Sequence, residues 1–115
     1  MVNSTEFVSL IQRLSINEIK GMVRTANAIY RNVNLGHLSL SSARKHIESA
    51  GRNDALALGL TVKSEGGMYY THDFFHAPVR EVVLGCFANS KQDTLLELNG
   101  LKSVCGEILK TRGYK

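Results

Sequence analysis

Positively charged side chains are concentrated in one third of this 115-residue chain. Residues 20–52 carry six lysines and arginines against a single carboxylate, Glu48, so this segment alone has a charge of +5, whereas the whole chain has +4. The six cations are Lys20, Arg24, Arg31, Arg44, Lys45 and Arg52. Such a local excess attracts polyanions more strongly than the net charge suggests. The segment therefore predicts either a surface that binds nucleic acid or a positively charged face that only meets solvent.

The centre of this segment, SLSSARKHIESAG at residues 39–51, predicts an amphipathic helix. Ser39 or Ser41 can cap it, and Gly51 can end it. Its inward-facing residues are Leu40, Ala43, Ile47 and Ala50, and its outward-facing residues are Ser42, Lys45, Ser49 and Arg52, with Arg44 and Glu48 on a flank. A helix with short hydroxyls and long cations on its outer face can approach a phosphate backbone while it reaches base edges.

These residues define a candidate nucleic-acid interface, with duplex DNA as the expected ligand. The predicted groove contacts are Ser42, Lys45 and Ser49. The predicted phosphate contacts are Arg24, Arg31, Arg44 and Arg52, with Lys63 touching the flanking backbone. The alternative is that the basic surface binds an acidic protein partner, which would make the chain a non-enzymatic adaptor or inhibitor. Cations that converge on one face favour nucleic acid, and scattered cations favour the protein partner.

Other residue types that carry chemistry give weaker signals. His72 and His76 have a spacing that can place two imidazoles on one metal ion, with Cys86 or Cys105 as a further ligand. Cys86 with either histidine could also form a nucleophile pair. Each cysteine, however, lies within an apolar stripe, where a thiol usually packs as a small apolar group. We therefore predict no metal, no cofactor and no enzymatic activity.

The spacing of apolar residues predicts helices on the amino-terminal side of this segment. A first helix is expected over residues 4–14. The second begins at a capping box, Ser15-Ile16-Asn17-Glu18, and stops at Asn34-Leu35-Gly36. The apolar residues of the second helix recur on one face, so it is expected to pack against the core.

On the carboxyl-terminal side the pattern changes to that of a hairpin. β-branched and aromatic residues flank Gly66-Gly67, which predicts a hairpin over residues 60–71 with the two glycines at its turn. Two helical regions follow, one starting near Pro78 and one at Ser90. Asn99-Gly100 could split the last region, because glycine is unfavourable inside a helix.

The predicted fold is a single, mainly α domain over residues 1–115 with one small β-hairpin. Over residues 16–72 the order of elements is similar to that of a winged-helix DNA-binding module; the likeness is one of architecture, and no family is assigned from it. Such readers often pair on two-fold sites, so a homodimer is expected. Leu98, Leu101, Cys105 and Ile108 follow a heptad, which is either a dimer seam or the core face of the last helix.

The composition predicts a soluble globular protein. Hydrophobic residues make up 43% and charged residues 21%, as in ordinary folded domains. No apolar run reaches the roughly 18 residues of a membrane span, and the first residues lack the basic segment of a secretory signal. Two cysteines fit a reducing compartment, so a cytoplasmic location is expected.

Overall fold

The computed structural model describes residues 5–64, 66–70 and 73–113, and for residues 61–64 and 67–70 it describes the backbone alone. The α-helices, in chain order, are α1 (Thr5–Gln12), α2 (Ile16–Asn34), α3 (Leu40–Ser49), α4 (Arg52–Ala57), α5 (Ala77–Leu84) and α6 (Lys91–Thr111). A short 3₁₀ turn, Asp73–Phe75, precedes α5.

The predicted fold class needs a correction at the hairpin. Among the residues whose side chains the structure describes, the chain is 77% helical, with six helices, and contains no strand. The predicted β-hairpin is therefore not part of the fold that these residues form. Over the predicted hairpin only backbone is described, as two paired four-residue segments, β1 (Thr61–Ser64) and β2 (Gly67–Tyr70). In their register Ser64 lies opposite Gly67. The predicted Gly66-Gly67 turn is therefore wrong, because Gly67 belongs to the second segment.

The second helix, α2, has the ends that the sequence predicts. The Ser15 hydroxyl accepts a hydrogen bond from the Glu18 backbone N–H at 3.1 Å, and the Glu18 carboxylate accepts one from the Ser15 N–H at 3.0 Å. This confirms the capping box. The hydrogen bonds from Ser15 also hold the pKa of Glu18 below its ordinary value. The helix stops at Asn34, and Gly36 follows in the left-handed region with φ of 79°.

The core is one buried cluster to which all six helices contribute. Most of the apolar residues predicted for the inner face of α2 are fully or almost fully buried, and Val23 of that face is half-buried. The buried ones are Ile19, Met22, Ala26, Ile29 and Val33. The inner residues of α6 are buried as well, namely Leu98, Leu101, Cys105 and Ile108. Asn99-Gly100 does not split α6, which continues through both residues. Packing of these two long helices outweighs the local preference of glycine against a helix interior.

The first helix, α1, is shorter than predicted and is held at its end from a distant part of the chain. Ile11 and Leu14 are buried, but Leu10, which shares the apolar helical spacing of Leu14, is 42% exposed. The guanidinium of Arg112 donates to the backbone carbonyls of Gln12 and of Leu14, the latter at 2.7 Å. Because carbonyls at the end of a helix lack partners within it, this side chain serves as the carboxyl-terminal cap of α1.

Candidate nucleic-acid interface

The central helix of the predicted interface, α3, forms as the sequence predicts. Ser39 is its N-cap, and the Ser39 hydroxyl accepts a hydrogen bond from the Ser42 N–H at 3.1 Å. Ala43 and Ile47 are completely buried. Their burial fixes which side of α3 meets solvent. The residues exposed there are Ser41, Arg44, Lys45, Glu48 and Ser49.

The end of α3 differs from the prediction. Ala50, not Gly51, takes the left-handed conformation, with φ of 52° and ψ of 39°. Gly51 is instead extended and is the N-cap of α4. Its N–H donates to the carboxylate of Asp54 at 2.7 Å. The predicted stop at Gly51 is therefore displaced by one residue, because Gly51 belongs to the start of the next helix.

Asp54 fixes α4 against α3. Its second carboxylate oxygen lies 2.7 Å from Nδ1 of His46 on α3. Burial raises the pKa of Asp54, but the hydrogen bonds from His46 and the Gly51 N–H outweigh it and leave that pKa below its ordinary value. The carboxylate therefore joins the two helices, and its negative charge lies just beyond the basic segment of residues 20–52. This contact, between residues eight positions apart, was not predicted.

Arg24 does not stand free as the predicted phosphate contact. Its Nε and Nη2 donate to the two carboxylate oxygens of Asp73 at 2.9 and 2.8 Å. Such a two-point pair is strong and directional, and the hydrogen bond to Asp73 raises the pKa of Arg24 above its ordinary value. The Asp73 side chain is only 9% exposed. Breaking the pair to bind a phosphate would leave a nearly buried carboxylate unpaired.

Arg31 lies on the same outer side of α2 but points to a different neighbour. A Cβ built on Gly59, just after α4, would lie 3.6 Å from Nη2 of Arg31. The neighbouring Asn32 side chain donates to the Leu58 carbonyl at 3.0 Å, which ties this part of α2 to the end of α4. Arg31 is thus brought to α4, whereas Arg24 is turned away to the 3₁₀ turn.

The cations on α3 and α4 are exposed. Lys45 and Arg52 face solvent, and Arg52 is the first residue of α4. Arg44 lies 3.7 Å from Glu48, measured from Nε to Oε2, with both side chains about half exposed. An exposed pair at this distance is weak. We name Arg31, Arg44, Lys45 and Arg52, exposed cations on α2, α3 and α4, the basic face; α3 packs against both of the other helices.

The remaining predicted contacts divide into three cases. Ser49 is exposed, as a groove contact requires. Ser42 is half-buried, and its hydroxyl accepts a hydrogen bond from the Ser39 hydroxyl at 3.0 Å, so it belongs to the capping arrangement more than to the outer face. The side chain of Lys63 lies outside the described residues.

The heptad on α6 is a core face and not a dimer seam. Its residues, Leu98, Leu101, Cys105 and Ile108, are buried within the chain itself. The expected homodimer stays a prediction, without support from this heptad. Leu96, at 63% exposure, is the large apolar side chain that α6 shows to solvent in the described chain.

The two cysteines are buried thiols without a disulfide. Burial raises the pKa of Cys86 to about 12 and that of Cys105 to about 11, which opposes formation of a nucleophilic thiolate. Within the described residues, no three His, Cys, Asp or Glu side chains are grouped so that they could hold a metal ion. His76 is exposed, and His72 lies outside the described residues.

No helix in the described part of the chain is long and apolar enough to cross a membrane. A comparison with family models, with curated proteins and with solved structures finds no match to this chain.

Proposed function

We propose that the chain binds nucleic acid through the basic face. The observation that carries this proposal is that four cations on α2, α3 and α4 are exposed in the described chain, whereas α3 and α4 carry two carboxylates, exposed Glu48 and half-buried Asp54. Arg31 and Arg52 mark the two ends of α4, which has six residues and is therefore about 9 Å long. Arg44 and Lys45 lie on the helix that Asp54 joins to α4. The contacts of α3 with α2 and with α4 support a shared face for these cations, and a shared face favours nucleic acid over the scattered surface expected of an adaptor.

The sequence leads us to expect duplex DNA as the ligand. We further propose that the chain is a small regulatory protein of the cytosol that acts by binding DNA. The two cysteines support this location, since both are free thiols. With four phosphate contacts, the slope of log affinity against log salt would be about −3.6 for duplex DNA. Raising the salt from about 50 to about 200 mM would then weaken binding about 150-fold.

The test is fluorescence anisotropy with labelled duplex DNA, single-stranded DNA and single-stranded RNA over a range of salt. The double variant Arg44→Glu, Lys45→Glu should abolish binding without unfolding the chain, because both side chains are exposed. The matched control is Lys91→Glu, Lys110→Glu, two exposed cations on α6. Both double variants lower the net charge from +4 to 0. A difference in affinity between them therefore shows that binding depends on where the cations lie and not on the net charge.

The outcomes separate the two functional classes. Equal loss of binding in both double variants would mean that net charge, and not the basic face, binds the ligand. Arg24→Gln should change affinity by less than about twofold, because Arg24 is already paired with Asp73. Wild type that binds none of the three ligands at low salt would overturn the proposal and favour an adaptor acting on an acidic protein.

A further inference from the structure

A cleft of about 420 Å³ opens beside the basic face, between the first turn of α3 and the segment that joins α5 to α6. Its lining residues are Ser39, Leu40, Ser41, Arg44, Phe87 and Ala88. The volume falls in the range of roughly 300–1,000 Å³ that small-ligand sites occupy. Arg44 is shared between this cleft and the basic face, so the two are continuous.

The lining combines an aromatic ring with one cation. Phe87 is half-buried, and Arg44 is the only ionisable residue among the six. Glu48 approaches Nε of Arg44 at 3.7 Å, which is longer than a hydrogen bond. The guanidinium therefore retains its donors for a ligand. A planar ring carrying a nearby anionic group matches this pair of side chains in shape and in charge.

Hydrogen bonds fix both walls of the cleft. The N–H of Ala88 donates to the Thr94 hydroxyl at 2.9 Å, and that hydroxyl donates to the Ser90 carbonyl at 2.9 Å. Thr94 is completely buried. On the opposite wall the Ser39 cap holds the first turn of α3. A site whose walls are already ordered loses less conformational entropy when a ligand binds.

We propose that this cleft holds one unpaired base of a nucleic-acid strand, with the base stacked on Phe87 and a neighbouring phosphate on Arg44. The inference rests on the proposed function, since the same strand would continue over the basic face. A base inside a duplex has both faces covered by its neighbours, so a base must leave that stack before it can stack on Phe87 in the cleft. A single strand then binds more tightly than a duplex of the same sequence, so the cleft replaces duplex DNA, the ligand expected from the sequence, by an unpaired strand on the same basic face.

The test compares a labelled single-stranded DNA, the same strand with a central run of abasic sites, and the corresponding duplex. Removing the bases should weaken binding by at least about fivefold, the lower end of the contribution of one stacked base. Phe87→Leu, which keeps an apolar side chain but removes the ring, should lower the affinity of the intact strand to that of the abasic strand. Phe87→Tyr should restore it. A 2-aminopurine base in the strand should lose fluorescence on binding to wild type and not on binding to Phe87→Leu.

Three results would overturn the inference. The first is equal affinity for the intact and abasic strands, and the second is a Phe87→Leu effect of the same size on every ligand, which indicates a change in folding. The third is a duplex that binds more tightly than its single strand. In each case salt-dependent binding that Arg44→Glu, Lys45→Glu abolishes would leave the proposed function standing. Absence of binding to every ligand would refute the proposed function and the cleft assignment together.

Discussion

Gly21 in the middle of α2 gives a sharp test of how the 3₁₀ turn packs against this helix. A Cβ at this position would lie 2.7 Å from Oδ1, 3.0 Å from Cγ and 3.1 Å from Cβ of Asp73. Asp73 cannot retreat without loss, because Arg24 holds both of its carboxylate oxygens. The neighbouring Phe74 is completely buried, which restrains the backbone of the turn. Gly21→Ala should therefore force a rearrangement.

Two opposing effects set the size of this change. Alanine is favoured over glycine inside a helix by about 1 kcal/mol. Overpacking a well-filled site costs about 1–3 kcal/mol, and displacing Asp73 also weakens its pairing with Arg24. We expect Gly21→Ala to lower the free energy of unfolding by about 1–2 kcal/mol. The same substitution at an exposed helix position would raise that free energy.

Urea unfolding of four proteins measures this coupling: wild type, Gly21→Ala, Asp73→Gly and the double variant. Asp73→Gly removes all three close atoms, so in that background Gly21→Ala should raise the free energy of unfolding by about 1 kcal/mol. The double-mutant cycle isolates the contact between the two residues. A stabilising Gly21→Ala in the wild-type background would refute the packing of Asp73 against Gly21.

Three further changes test the helix ends and the core. Ala50→Gly should stabilise the protein by about 0.5–1 kcal/mol in urea unfolding, because the left-handed penalty of roughly 1–2 kcal/mol exceeds the added entropy of the unfolded chain; a loss of stability would contradict the observed conformation. Gly85→Ala should destabilise by about 1–3 kcal/mol, since its Cβ would collide with the ring of Phe7, and an equal effect in a Phe7→Ala background would contradict this. Burial raises the pKa values of the Cys86 and Cys105 thiols to about 12 and 11. At pH 8 both thiols should therefore react with a disulfide reagent at least about 100-fold more slowly in the native protein than in urea. Rapid labelling of the native protein would contradict their burial.

The features that the sequence predicts correctly are those that depend on residues close together in the chain. The capping box of α2 joins Ser15 to Glu18, three positions away, and the N-cap of α3 joins Ser39 to Ser42. The inner faces of α2 and α6 follow from their spacing of apolar residues. Each of these signals is complete within one or two helical turns, so no tertiary information is needed.

The sequence-based predictions fail where the structure depends on a contact with a distant residue, or on a choice between two local arrangements that the sequence allows equally. Arg24 and Asp73 are separated by 49 positions, and no local pattern connects them. Gly51 can end one helix or begin the next, and the carboxylate of Asp54 selects the second role. Phe87 packs against the core, as its apolar spacing after Pro78 indicates, but its place in the cleft depends on the packing of α3 near the segment after α5.

The capping of α1 by Arg112 has a consequence for synthesis of the chain. The arginine is 98 positions from Leu14, and a ribosome adds about 5–20 residues per second. Between the appearance of α1 and that of its cap, about 5–20 s therefore pass. During this interval Ile11 and Leu14, buried in the finished protein, also lack α6 to cover them. In the nascent chain α1 is thus an exposed apolar segment of the kind that chaperones bind, and its docking against α6 waits until α6 has been made.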